Sequence, residues 1–495
     1  MNRCTFSLFC ILYLVPWIAW SDDLDEALKR WDTKTALELV QTARDLPRSK
    51  AAALYGYMAF LEGDYGRAEG LLRKVSGPDR GTKALLTIVA FTRATTQDMV
   101  VATSEKGHFS LRYRPGHDEA AVFYILEAAE AMWDVLMRRF DAHLEGPVRI
   151  ELLPSFEALA ASTGLNMPEV HESGAVAVCK FNKVMLVSPS ALPWGYPYAD
   201  TMAHELTHYV LTRLWGEDLP LWFQEGVAKY LESTWRGKEP GQLTRGARER
   251  LATAVVEGRL IPFDSLRDSL AWLPADAVSL AFAELSSFIG ALEAAHGPKV
   301  LARLAVEMGR DDPVVAFSRV TGRTLGEAVA AWARDLSALR PSAGHVVLVQ
   351  EPEQDLFKRL PPQAMDAIRL GDMLATRGKA MAAAEQYRKV SEQHPAVVAR
   401  LAAALLAASR PEEAIFALDA AMLDEEEYPI LAGLRGRALV ALGRQRDAIQ
   451  ALWTAVRCDP YDPNVHRALA QALRASGDGA GAEREERLAA MWSAR

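Results

Sequence analysis

The segment TMAHELTHYVL, residues 201–211, holds the side chains best suited to chemistry. His204 and His208 are four residues apart, so on a helix they stand one above the other and their imidazoles can converge on a single ion. Plotted at about 100° per residue, Ala199, Met202, Ala203, Leu206, Val210 and Leu214 form an apolar stripe. The two histidines point roughly opposite that stripe, which separates them from the satisfied core histidine that a lone His usually is. Glu205 lies to one side, close enough to meet a bound water without being a ligand.

Glu225 follows seventeen residues after His208, inside LPLWFQEGVAKYLE. Pro220 marks a break, and a second helix starts near residue 221. Gly226 and Ala228 are small enough for that helix to pack closely on the first. Two imidazoles and a carboxylate would leave one of the four positions around zinc open for water. The bland reading of Glu225 is a solvated surface carboxylate. Asp200, one turn before His204, is a candidate to orient that imidazole, and is equally an acid favoured near a helix N-terminus.

The elements that must hold these residues read as strands first and helices afterwards, an α+β order. HFSLRYR (108–114) alternates as a strand, HDEAAVFYILEAAEAMWDVLMRRF is a long helix, and PVRIELLP is a second strand. GAVAVCKFNKVMLVSP reads as two strands around a turn near Phe181–Lys183, and residues 199–340 as helices only.

The C-terminal third repeats itself. Ala414, Ala448 and Ala482 are spaced by 34, as are Gly443 and Gly477. SRPEEAIFAL, GRQRDAIQAL and GDGAGAERE each open an amphipathic helix after a short turn, and GKAMAAAEQYRKVSEQHP is an earlier copy. The pattern resembles the tetratricopeptide repeat, two antiparallel helices per unit. A weaker copy, with Gly63 five before Ala68, makes the N-terminal region helical and repeat-like.

The segment 1–21 carries Arg3, an apolar run, and the small residues Ala19 and Ser21 before Asp22, the layout of a secretory signal peptide cleaved after about Ser21. The chain is thus expected to be exported to a bacterial periplasm or beyond, with no stable membrane span afterwards. Cleavage leaves Cys179 and Cys458, in different expected domains, so no disulfide is expected between them. A net charge of −8 and a pI near 5.8, without a basic cluster, argue against nucleic acid as a partner. The expected division is 1–21 signal peptide, 22–103 helical repeat-like domain, 104–340 site-bearing domain, 341–362 linker and 363–495 repeats.

AHELTHYV followed by LPLWFQEGVAKYLE resembles the gluzincin metallopeptidases, in particular the short peptidase-MA-like domains of bacteria. The resemblance covers about 107–340, including ALAASTGL and RLIPFDSL. It implies an α+β zincin-like metallopeptidase domain flanked by all-α, tetratricopeptide-like regions, with one Zn2+ per chain on His204, His208 and Glu225. It further implies Glu205 as general base for a zinc-activated water that hydrolyses peptide bonds. The strand Lys183, Val184, Met185, Leu186, Val187 and Ser188 would pair with an extended protein or peptide substrate. Two departures stand out: Ser286 occupies the place where an oxyanion-stabilising Tyr is expected, and Lys229 stands four residues after Glu225. Three functions follow. The first is an exported zinc peptidase whose repeats recruit substrate or partner proteins. The second is a repeat-based binding or scaffold protein with an inactive or structural zinc domain, and the third an esterase or amidase of cell-wall material.

Overall fold

The computed structural model describes residues 22–43, 46–192, 195–266, 270, 273, 275–342, 357–358, 360–390 and 394–493. The expected signal peptide, 1–21, and most of the expected linker, 341–362, lie outside the described residues.

One sheet stands among many helices. Its strands are β1 (Val100–Thr103), β2 (Phe109–Tyr113), β3 (Val148–Leu153), β4 (Ala177–Lys180) and β5 (Lys183–Val187), in the order β1-β2-β3-β5-β4. β2, β3 and β5 run parallel, while β1 and β4 close the two edges antiparallel. Every residue of β5 is buried, as expected of a central strand covered on both faces. β4 and β5 are joined through Phe181 and Asn182, both with positive φ (56° and 57°), the backbone of a tight hairpin whose twist matches its strands. Asn tolerates that conformation; Phe181 is held in it by burial against Phe60, ring centroids 5.0 Å apart.

Beside β5 lies a buried polar network that the alternation of the strands did not reveal. Lys183 Nζ is 2.7 Å from Glu151 Oε2 on β3 and donates to the Tyr65 hydroxyl at 2.9 Å, while Arg112 reaches Glu151 at 3.4 Å. Tyr65 opens the helix Tyr65–Leu72, so the network fastens the N-terminal helices to the sheet. Burial pulls the Lys183 ammonium down to about 8 despite the neighbouring Glu151. Burial works against the Glu151 carboxylate too, but Lys183 and the hydrogen bonds keep it ionised.

After the sheet come helices. The site helix, Tyr198–Trp215, is buried along nearly its whole length; it packs on the long helix Glu119–Phe140, on β4 and β5, and on Leu221–Leu231. The expected polar face opposite an apolar stripe is therefore an interior face. Gly226 serves closeness as expected, but toward a different neighbour: a Cβ there would lie 2.7 Å from Ile289 Cγ1 on the helix Ala275–His296. That helix is the one described helix long and apolar enough to cross a membrane, and it is packed as a core element against Leu221–Leu231.

Ala275–His296 also carries Glu284, 1% exposed, whose Oε1 accepts from the Ile261 amide at 3.0 Å while Oε2 has no hydrogen-bond partner among the described residues. Burial pushes this carboxyl up to about 8, with the Ile261 amide opposing. A folded-state value above the ordinary one means stability is full below the ordinary carboxylate range and is lost as pH rises through the folded value. Glu284→Gln should therefore unfold like the parent chain near pH 4 and be more stable near pH 8, the gap growing by about 1.4 kcal/mol per pH unit in between. Urea midpoints of both chains at several pH values check this; a constant difference would contradict it.

Residues 362–493 form helical hairpins whose first helices open at Pro362, Pro395, Pro429 and Pro463. Proline suits a first helical turn because its missing N–H would have no partner there. Ala414, Ala448 and Ala482 are all fully buried at the helix crossings, and Gly443 and Gly477 supply positive φ (73° and 91°) in the turns. The last hairpins sit on the site segment: Tyr198 donates to the Val456 carbonyl at 2.9 Å, Tyr124 to Glu485 at 2.7 Å, and the Gly246 amide to Asp424 at 3.1 Å. Cys179 and Cys458 are both buried and free.

The expected fold class, an α+β zincin-like domain flanked by helical repeats, is corrected to a mostly helical, repeat-like chain with one small sheet. Helices make up 67% of it, against five strands of four to six residues among the described residues. The physical reason is continuity: one hydrophobic core runs from Leu24 through the sheet and site helix to Leu488.

Candidate metal centre

Two helices build the centre. The site helix presents His204 and His208 from consecutive turns, and Leu221–Leu231, which starts after Pro220, presents Glu225. One ligand atom from each of the three lies within 4.8 Å of the others. His204 Nε2 and His208 Nε2 are 3.2 Å apart, and Glu225 Oε2 is 3.3 Å from the first and 3.5 Å from the second. A tetrahedral zinc with bonds near 2.05 Å has ligand–ligand edges of roughly 3.3 Å. The triangle thus has the size of one face of such a site. A neutral imidazole donates through one nitrogen only, and three atoms mutually this close cannot all be satisfied by one proton, whereas one cation serves them all. Glu225 Oε1 is buried without a hydrogen-bond partner among the described residues, a further place for a metal to take up.

His204, Glu205, His208 and Glu225 each have 0% exposure. Burial lowers the His204 imidazole, but hydrogen bonds to Glu225 and Glu232 outweigh it and raise it to about 9. Burial opposes the Glu225 carboxylate also, yet the two histidines hold it below the usual range. Glu205 lies beside the triangle, its carboxyl raised by burial against the lowering effect of both histidines and of the Cys179 backbone.

The orienting residue is not Asp200. That carboxylate accepts from Trp235 Nε1 at 2.8 Å and pairs with Arg236 at 2.7 Å, away from the imidazole. Glu232 takes the position instead, its Oε2 3.3 Å from His204 Nδ1. Sequence reasoning looked four residues beyond Glu225 and found Lys229; seven residues beyond, two helical turns on the same face, stands Glu232, and Lys229 neutralises it. Phe282 closes the other side, its ring edge-on to His204 at 5.8 Å.

Other candidates stand elsewhere. The strand Lys183, Val184, Met185, Leu186, Val187 and Ser188 has β3 on one side and β4 on the other, so its hydrogen-bonding edges are taken. Ser188 bonds Asp118 at 2.6 Å. Tyr196 donates to Val187, Tyr198 to Val456, and Tyr230 lies against Arg139, so none of these hydroxyls meets the triangle. Ser286 is buried and its hydroxyl has no partner among the described residues.

Comparison with known proteins gives the following. Residues 420–488 match the family model of the bacterial transcriptional activator domain. No curated protein matches the chain. Among solved structures, the crystal structure of the APC/C hetero-tetramer Cut9-Hcn1 is similar at 16% identity, over 94% of this chain and 95% of that one, with a TM-score of 0.21.

The family match corrects the functional expectation. The family that matches is a transcriptional activator domain lying on the last helical hairpins, not a peptidase. The expected membership among the gluzincin metallopeptidases is therefore set aside, together with peptide hydrolysis, the peptide substrate and the general-base role of Glu205. The hairpins are an architecture of protein–protein contact. The expectation of no nucleic-acid partner rests on composition alone, and the match of residues 420–488 to a transcriptional activator domain conflicts with it.

Proposed function

We propose that the protein is a repeat-based scaffold whose central segment is organised by one structural zinc ion. The observation that supports this reading is the distribution of exposure. The four residues of the candidate metal centre are sealed from solvent, while the hairpins carry large apolar side chains in the open: Leu370 at 44%, Met373 at 50% and Phe416 at 74%. A sealed centre suits a metal that holds elements together. Exposed apolar side chains on helical repeats suit a partner protein that covers them. His204, His208 and Glu225 would hold the ion, and Glu232 would fix the His204 tautomer by accepting from Nδ1. Bound there, zinc would tie the site helix to Leu221–Leu231 and neutralise the buried Glu225. The leader-like composition of residues 1–21 supports a reading in which this work is done outside the cytoplasm, in the periplasm or beyond.

The test separates surface from centre. A partner cross-linked to the full chain and identified by mass spectrometry should be lost from Met373→Ser/Phe416→Ser, with the unfolding midpoint unchanged. It should be kept by a change of an exposed apolar residue outside the hairpins, such as Val101→Ser on β1. Equal cross-linking by the parent and doubly substituted chains would remove the proposed binding surface.

A further inference from the structure

A cleft of about 760 Å³ opens at the far end of the site helix. It lies between the end of Glu119–Phe140, Trp215, and the helices Val300–Met308 and Pro313–Thr321. Its size falls in the range of small-molecule sites. Five cations line it, against the carboxylates Asp141 and Glu307, on a chain whose net charge is −8.

The five cations are not equivalent. Arg139 is paired with Glu293, and Arg319 with Glu307 at 2.8 Å and Asp311 at 2.6 Å. Arg138, Lys299 and Arg303 form no ion pair with any described carboxylate, Asp141 included. Arg138 is in the last turn of its helix, where the dipole favours a cation and no ligand need be invoked.

Lys299 has no such account, and Arg303 reaches only the Val320 carbonyl, at 3.4 Å, and no carboxylate among the described residues. Lys299 is the N-cap of Val300–Met308, makes no capping hydrogen bond, and the first turn holds no acidic residue. The N-terminal end of a helix carries roughly half a positive charge, so two cations there repel the dipole and each other. An anion in the cleft would relieve both repulsions and meet the helix end as well. Beside these charges, Trp215 presents a half-buried ring that stands edge-to-face with Phe140 at 5.3 Å, and Val306 and Val320 add apolar wall.

We propose that this cleft binds a small organic anion, a phosphate or comparable dianion joined to a flat apolar ring, with Lys299, Arg303 and Arg138 on the charge and Trp215 beside the ring. This site is separate from the metal centre, and its ligand does not depend on what the hairpins bind.

1-Naphthyl phosphate carries both chemistries and serves as the probe. Titrated calorimetrically into the full chain, it should bind saturably at one site, about tenfold or more tighter than inorganic phosphate or 1-naphthol, and more weakly as salt rises. Lys299→Gln/Arg303→Gln changes exposed side chains only, and should lose about tenfold or more in affinity with an unchanged unfolding midpoint. Trp215→Leu should weaken the probe while leaving inorganic phosphate where it was. No saturable uptake by the parent chain at millimolar probe, or equal affinity in the doubly substituted chain, overturns the proposal.

Discussion

Lys183→Met should cost the fold about 3–5 kcal/mol, one of the two largest losses expected of a single change in this chain. The ammonium is fully buried and is the closest cation to Glu151, itself 1% exposed. Removing it leaves a carboxylate in a dry site with only Arg112 at 3.4 Å and the Tyr65 hydroxyl for support. Glu151→Leu on the same background removes the stranded charge, so the doubly substituted chain should recover most of the loss. Urea unfolding of the parent, both single variants and the double variant gives the coupling directly. A loss below about 1 kcal/mol for Lys183→Met would mean that water or Arg112 compensates Glu151 without the lysine.

That network shows why part of the molecule could not be read from its residues. Strands β2, β3 and β5 were legible, because alternation and β-branched runs signal strands locally. Their order in the sheet is not local, and it decides that β5 lies between β3 and β4 instead of at an edge. Lys183 was expected to open a strand free to pair with a substrate; Glu151 and Tyr65, its partners, are 32 and 118 residues away. The repeats were legible for the opposite reason, since each hairpin carries its own buried alanine and opening proline within a short span, with a turn glycine in three of the four and Ser409 in that place in the second.

The candidate centre divides the same way. The four-residue spacing of His204 and His208 is a property of one helix, and Glu225 follows on the next, so their convergence could be anticipated. Their depth could not. A helical wheel assigns a face, but what covers that face is supplied by Phe282 and by Glu232, on helices the wheel does not include. Asp200 illustrates the cost of proximity in sequence: it is one turn from His204, yet Trp235 and Arg236 claim it. The functional expectation failed at the same step. A ligand set with one open position was taken for a reaction centre, whereas a sealed set is equally the anchor of a fold.

Glu225→Gln is the change that tests the anchor. After dialysis against a weak chelator, the parent chain should retain about one zinc, held by three buried ligands, and the variant little or none. The amide keeps the shape of the side chain but removes the charge that a cation needs beside two neutral imidazoles. Stripping zinc from the parent should lower its stability by about 4 kcal/mol, if free metal stands roughly 1,000-fold above its Kd. The variant should sit near the stripped parent and ignore added zinc. Glu205→Gln is the control, because Glu205 flanks the triangle without contributing to it, and it should hold zinc as the parent does. Loss of metal from Glu205→Gln equal to that from Glu225→Gln would redraw the ligand set. A parent chain that retains no zinc, and gains no stability from it, would leave His204, His208 and Glu225 as a hydrogen-bonded cluster, with His204 holding its proton between Glu225 and Glu232.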